Sequence, residues 1–369
     1  IKKLLQGQAV EWRALGEVVK LEKGKQLNKE LLFESGLYPA YNGGVSYSGF
    51  TDIYNYEENT IIISQGGASA GFVNFVTTKF YANAHCYVVL PKDEMVENRF
   101  IYHFLKLNQE KMMTKQHGAG IPALRTNEIL NLKIPIPTLS VQSQIVQILD
   151  TFTELTAELT AELSMRQKQY QYYRDLLLSE HELAKVGFEW KTLGEVANYE
   201  QPTKYLVKSK DYDDDFKTPV LTAGKTFILG YTNETNGIYQ ASKNPVIIFD
   251  DFTTANKWVN FDFKAKSSAM KMISSVDENQ FLLKYIYYWL NTLPSGLVDG
   301  DHKRQWISNF ANKKIPIPPL SVQSQIVAIL DTFDTLTQSI SEGLPKEIQL
   351  RQTQYEYYRE RLLNFKATI

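Results

Sequence analysis

The sequence predicts an α+β protein in which two globular mixed α/β domains are separated by two long helices. Those helices are expected to pack as an antiparallel coiled coil, the whole forming a circular repeat with an approximate two-fold axis. Three observations predict this: a frame of sequence that occurs twice, dissimilar filling between the frames, and an apolar spacing of 3.5 residues that outlasts an ordinary surface helix.

The repeat comes first. Ile134 to Phe152 reads IPIPTLSVQSQIVQILDTF and Ile315 to Phe333 reads IPIPPLSVQSQIVAILDTF, differing at two of 19 positions. Arg166 to Leu178 returns as Arg351 to Leu363, and EWRALGEV at Glu11 to Val18 returns as EWKTLGEV at Glu189 to Val196. The offset is 178 to 185 residues. Residues 1–10 precede the first phrase as the end of a helix-bearing repeat precedes the second, so the two ends of the sequence are expected to meet near one end of the second helix. The expected boundaries are 1–139 for the first domain, 140–184 for the first long helix, 185–320 for the second domain and 321–369 for the second helix.

The prolines of the I-P-I-P phrases hold off helix formation until Ser140 and Ser321, which are fair N-caps. From there steps of four and three pick out Ile145, Leu149, Phe152, Thr156, Leu159, Leu163, Arg166, Tyr170, Tyr173 and Leu177, nearly all apolar or aromatic. The second copy follows through Ile326, Leu330, Phe333, Thr337 and Ile340, slips four residues, and resumes at Leu344, Ile348, Arg351, Tyr355, Tyr358 and Leu362. Such a slip is a stutter, and with Gly343 and Pro345 on it a kink or break is expected there. Two matching seams in one chain are expected to pair with each other.

Between the frames lie short β-branched and aromatic runs: 60–64, 71–77, 86–90, 245–250, 257–263 and 270–273. Gly, Asn and Asp clusters separate them, and one helix follows in each half, at 98–111 and 280–292. A Gly-containing polar loop precedes each exit, at 118–126 and 300–308, with Thr126 or Ser308 placed to cap the next short helix.

Composition excludes several classes. The chain is 43% hydrophobic and 22% charged, as in ordinary globular proteins, and no apolar run is long enough to cross a bilayer. One cysteine, Cys86, excludes an internal disulfide framework or a multi-cysteine zinc site and fits a cytosolic setting. The net charge of −1 is low for a nucleic-acid binder, but it is unevenly spread: 1–139 and 185–320 are each net +2, and the two helical segments together are −5.

Catalytic signatures fail in detail. Gly67-Ala68-Ser69-Ala70-Gly71 has the nucleophile-elbow spacing, but a strand rather than a helix is expected after it, which leaves an enzyme built around Ser69 a distant reading. Ser268 to Lys271 fits S-x-x-K without the companion signatures. Gly224-Lys225-Thr226 ends like a phosphate loop but has Pro219 where its first Gly is needed. His85 and Cys86 would point to opposite faces of a strand, and Asp250 and Asp251 read as a solvated turn. Adenine-methyltransferase and dinucleotide-binding signatures are missing.

The doubled IPIPxLSxQxxIVxILD block, each time after a divergent segment opening on W-x-x-L-G-E-V, resembles the specificity subunits of type I restriction-modification systems. The resemblance implies a non-catalytic chain whose two target-recognition domains each read one half of a bipartite double-stranded DNA site. It implies helices that set the spacing and dock two methyltransferase subunits, with motor and nuclease subunits joining the complex. Methyl donor, ATP and magnesium would belong to those partners, so no cofactor is expected in this chain. The Gly343 and Pro345 stutter departs from exact equivalence of the two partner-binding faces. Within such a reading the DNA-facing candidates are Arg125, Lys303, Arg304 and Gln305, then Asn42, Gln65, Lys225 and Lys257, because Arg reads guanine, Gln and Asn read adenine, and Lys meets phosphate. The competing reading is a coiled-coil adaptor that touches no nucleic acid; it would lack steep salt-dependent affinity for DNA.

Overall fold

The phrases that open and close each copy are hydrogen-bonded neighbours. In the computed structural model, which describes residues 10–92, 94–114, 123–224, 226–294, 304–339 and 341–365, strand β1 (Glu11–Ala14) runs antiparallel to β9 (Lys133–Ile136), with Trp12 opposite Pro135. In the second copy β10 (Glu189–Thr192) pairs with β18 (Lys314–Ile317), Trp190 opposite Pro316. A two-stranded ribbon has edges that demand few N–H donors, which is where proline is tolerated in a sheet. The glutamate of L-G-E-V closes the turn after each strand: Glu17 accepts the Ala14 N–H at 3.1 Å, and Glu195 accepts that of Thr192.

The chain divides into two compact units, 1–160 with 347–369, and 161–346. In the first, strands β2 (Val19–Lys23), β8 (Cys86–Pro91), β5 (Thr60–Ser64) and β6 (Val73–Val76) form an antiparallel sheet in that order. A second sheet orders β4 (Gly49–Thr51), β3 (Tyr38–Tyr41) and β7 (Tyr81–Ala82), antiparallel on one side of β3 and parallel on the other. The second unit repeats this order with different residues: β11 (Ala197–Glu200), β17 (Met270–Ser275), β14 (Val246–Asp250) and β15 (Asn256–Val259), then β13 (Ile228–Thr232), β12 (Thr218–Leu221) and β16 (Lys264–Ala265). The divergent fillings are thus one α+β topology lined by two sets of side chains.

Each core is a sandwich of sheet, short helix and long helices. Helix α1 (Asn98–Leu107) buries Phe100, Ile101, Phe104 and Leu105 among Ile61, Ile63 and Val89 of the sheet. The same cluster takes Ile145 and Leu149 from α3 (Leu139–Leu177) and Leu362 and Leu363 from α7 (Gly343–Leu363). Val10 packs against this cluster as well, so the first and last described segments share one core. In the second unit α4 (Leu283–Leu290) plays the role of α1, packing Tyr285, Ile286 and Tyr288 between sheet residues Ile247, Phe249 and Ile273 and the helical residues Tyr170, Ile326 and Leu330, with Leu178 just past the end of its helix.

The seam residues meet as their spacing requires. Phe152 stacks on Tyr358 in the first unit, centroids 5.3 Å apart and nearly parallel. In the second unit Phe333 of α6 (Leu320–Gln338) meets Tyr170 at 6.4 Å and Tyr173 at 5.7 Å. Leu159 is half-buried. Helix α3 is unbroken for 39 residues, a rod of about 60 Å at about 1.5 Å per residue. The second copy does break: α6 ends at Gln338 and α7 begins at Gly343, whose φ is +77° and where a Cβ would lie 2.4 Å from the Thr335 carbonyl oxygen. Only glycine fits that junction. The seam position Ile340 lies outside the described residues.

Two details differ from the sequence reading. Ser140 and Ser321 are not N-caps: α3 already includes Leu139, and α6 is entered from Pro319, whose φ of −51° is preset for a helix start. The helix expected over 98–111 is two pieces, α1 and a separate turn Gln109–Thr114, and α4 is shorter at each end than expected.

A repeated glutamine ties frame to module. Gln142 is fully buried; its amide donates to the carbonyls of Pro137 at 2.8 Å and Met95 at 3.0 Å, and accepts the Glu97 N–H at 2.8 Å. Gln323 does the same with Pro318 and Gln280 at 2.9 Å each and the Leu282 N–H at 2.9 Å. The repeated aspartate is a second tie whose partners differ. Asp150 accepts from Arg99 at 2.9 Å and faces the His103 ring at 2.8 Å, while Asp331 accepts from Tyr288 and lies 3.4 Å from the Lys284 ammonium.

His103 is buried with its other ring nitrogen 3.2 Å from the Tyr355 hydroxyl. That geometry suits a neutral ring donating to Asp150 and accepting from Tyr355. Burial, outweighing the pull of Asp150, holds His103 below its ordinary value. The folded chain binds that proton more weakly than the unfolded chain, so the contribution is complete above about 6.5 and is lost as pH falls below it. The thermal midpoint is expected to drop between about pH 7 and about pH 5.5, with the drop flattened in His103→Gln. A parent chain whose midpoint is constant over that interval contradicts this.

Candidate nucleic-acid interface

In the first unit, three predicted residues converge at the C-terminal end of β5. Asn42 is exposed beside Gly43, whose carbonyl accepts the Ser64 hydroxyl. The next residue, Gln65, is half-buried; its N–H donates to His85 at 2.9 Å and its carbonyl accepts the Leu124 N–H at 2.8 Å. Leu124 is buried, and its carbonyl accepts the Tyr87 hydroxyl at 3.1 Å. This double hold presents Arg125, exposed at the entry to α2 (Thr126–Leu130). The helix therefore starts one residue earlier than expected, with Arg125 and not Thr126 at its N-cap and no side-chain cap bond.

The second unit uses the same place in the fold with different chemistry. Arg304 is exposed at the N-cap of α5 (Gln305–Ser308). Gln305 is buried; its N–H donates to the Asp251 carbonyl at 2.8 Å, the counterpart of the Leu124 to Gln65 bond. Its side chain is turned inward and does not offer a base-reading edge to solvent. The expected cap Ser308 closes α5 rather than opening it. Lys257 is exposed on β15, its ammonium 5.4 Å from the Phe227 ring, and with Asn256, Phe227 and Phe310 it lines a cleft of about 660 Å³. Lys225 and Lys303 lie outside the described residues, as do 118–122 of the first Gly-containing loop and 300–303 of the second.

Asp250 and Asp251 are not a solvated turn. Both are buried, because the chain folds back over the end of β14 and their carboxylates take main-chain donors. Asp250 accepts the N–H groups of Phe252 at 2.9 Å and Thr253 at 3.2 Å. Asp251 accepts the Trp306 N–H at 2.8 Å and faces the Lys271 ammonium at 3.4 Å. Strand β6, not a helix, follows Ser69. Cys86 is buried, its thiol pushed up to about 11 by burial, while His85 is exposed. Among the described residues no three His, Cys, Asp or Glu side chains are grouped to hold a metal ion. No described helix is long and apolar enough to cross a membrane.

The sequence reading named Asp251 and Lys271 without seeing that they meet, and passed over Asp150 and Gln142. The last two were available as identical letters inside the repeat, whereas the first two meet only through sheet pairing.

A duplicated frame that grips two modules of one topology and different lining defines a two-module recognition scaffold. The family described as the type I restriction modification DNA specificity domain matches residues 8–165 and again 185–350. The chain belongs to that family. It is 36% identical over 386 residues to a putative type I restriction enzyme specificity subunit of Haemophilus influenzae, a match covering 99% of this chain and 98% of that one. It is 66% identical over 188 residues to the EcoR124I/EcoR124II specificity subunit of Escherichia coli, but that match covers only 49% of this chain and 46% of that one. The fold superposes with a TM-score of 0.72 and 21% identity on the crystal structure of a type I restriction-modification S subunit from M. genitalium, covering 98% of each chain.

Proposed function

We propose that this chain is the non-catalytic DNA-specificity subunit of a type I restriction-modification complex, acting in the cytosol. The modules 1–139 and 185–320 each read one half of a bipartite duplex, the helical segments 140–184 and 321–369 set the spacing, and two methyltransferase subunits dock on the frame. Motor and nuclease subunits join through the complex and bring the ATP and magnesium chemistry, while the methyl donor belongs to the methyltransferases.

The observation that carries this reading is one strand order in both units with a different exposed polar set in each, Asn42 and Arg125 in one, Lys257 and Arg304 in the other. Two copies of a fold that present different polar groups suit two different half-sites. For the two docked partners the support is a shared set of exposed apolar residues. The first unit exposes Trp12, Leu139, Ile148, Tyr357 and Tyr358; the second exposes the repeat-equivalent Trp190, Leu320, Ile329, Tyr172 and Tyr173. Identical residues left exposed in both copies suit two copies of one protein.

Mobility-shift titration with the methyltransferase on a split-site duplex tests the reading, with affinity expected to fall steeply with salt. Equal affinity for scrambled duplexes rejects it. Arg125→Ala and Arg304→Ala are each expected to relax discrimination at one half-site only, by about 1–3 kcal/mol. Binding that weakens equally for every duplex assigns these side chains to phosphates instead.

A further inference from the structure

We infer that Asp251 and Lys271 form a buried clamp that positions the DNA-reading loop of the second module, making Asp251 a positioning residue for recognition of one half-site. The inference rests on the proposed function.

Lys271 is fully buried on β17 and Asp251 is 1% exposed at the end of β14. Their charges lie 3.4 Å apart, and the Lys271 ammonium has no hydrogen-bond partner. Removing two charges from water for a contact of this length adds little to stability, and apolar replacements of similar volume are often as stable or more so. The pair therefore needs another reason to be there, and Asp251 supplies one. Its other carboxylate oxygen takes the Trp306 N–H at 2.8 Å and its carbonyl takes the Gln305 N–H at 2.8 Å. Two consecutive main-chain donors immediately after exposed Arg304 are thus held by one residue. Trp306, 1% exposed and set edge-on to Phe249 with centroids 5.2 Å apart, seats the same segment in the core. Lys271 balances the charge of the carboxylate that does this.

The first module offers an internal comparison. There the tie among the described residues is the Leu124 N–H on the Gln65 carbonyl, and the residue in the place of Asp251 is Gln65, which carries no carboxylate. The clamp is a property of the second module alone, so its loss should be felt at one half-site and not at the other.

The test uses the full chain assembled with its methyltransferase, on a cognate duplex found by methylation mapping, with each half scrambled in turn. Asp251→Leu with Lys271→Met removes the acceptor and both charges without leaving an unpaired ion. Asp251→Asn with Lys271→Met removes the charges but keeps an oxygen for the Trp306 N–H. Both should fold, as judged by circular dichroism and thermal midpoint. The Leu–Met protein is expected to lose discrimination at one half-site by about tenfold or more, the scale of a misplaced bidentate base contact, while the other half-site is read as before. The Asn–Met protein should stay within about twofold of the parent at both, since a neutral acceptor still anchors the loop. Amide exchange at Trp306 should accelerate in the first protein only.

A folded Leu–Met protein that discriminates like the parent overturns the inference and leaves the proposed function standing, as does equal loss at both half-sites. If the Leu–Met protein fails to fold, amide exchange in the parent decides: a Trp306 N–H that exchanges as fast as an exposed amide overturns the clamp. A parent chain indifferent to both halves sinks the function and the inference together. Arg304→Ala, assayed alongside, separates the clamp from the residue it presents.

Discussion

Gln142→Leu is expected to destabilise the first unit by about 3 kcal/mol, and Gln323→Leu the second by about as much. Leucine fills the space but cannot bond. In the first unit the Glu97 N–H and the Met95 and Pro137 carbonyls lose the glutamine where α1 meets α3, the Pro137 bond fully buried and the other two partly so. In the second the Leu282 N–H and the Gln280 and Pro318 carbonyls do. A buried polar group left without a partner costs about 1–3 kcal/mol, so three outweigh any gain from an apolar side chain. Because the two units need not unfold together, the measurement is native-state amide exchange resolved by unit, with each substitution loosening its own unit and sparing the other. A loss under about 1 kcal/mol means that water replaces the amide and that the tie is not structural.

The second large effect concerns assembly. Ile148→Asp and Ile329→Asp, at equivalent exposed positions of the two units, are each expected to remove one of two bound methyltransferase subunits, and the double substitution both. Neither side chain is in the core, so folding should be unaffected. A carboxylate driven into an apolar contact weakens that contact by roughly a hundredfold or more. Native mass spectrometry reads the outcome directly: complexes with two, one and no partner for parent, single and double variants. A single variant that loses both partners, or keeps both, rejects two independent docking faces.

Much of this molecule could be read before any coordinates. The duplication, the seam from Ile145 to Tyr173, the break at Gly343 and the strands around Thr60 to Ser64 and Val246 to Asp250 all rest on local spacing or on identity between copies. What resisted reading was the fate of polar residues. Gln305 has the letters of a base reader and is buried; Asp251 has the letters of a surface turn and lies inside, opposite a lysine twenty residues away in sequence. Which polar group is buried is decided by the strand beside it, and strand adjacency between divergent segments leaves no period in the sequence. The helix starts were misplaced for a related reason: both helices open ahead of the serines, and the glutamine two residues past each serine donates to the carbonyl of Pro137 or Pro318 just before the helix.

The repeated glutamines reach across to main-chain atoms alone, those of Met95 and Glu97 in one half and of Gln280 and Leu282 in the other. This part of the grip ignores side-chain identity, so matching is required only at the aspartate tie and in the packed core. A hybrid with an exchanged interior should then keep the glutamine mount while carrying a different surface, provided the aspartate finds a partner in the new interior.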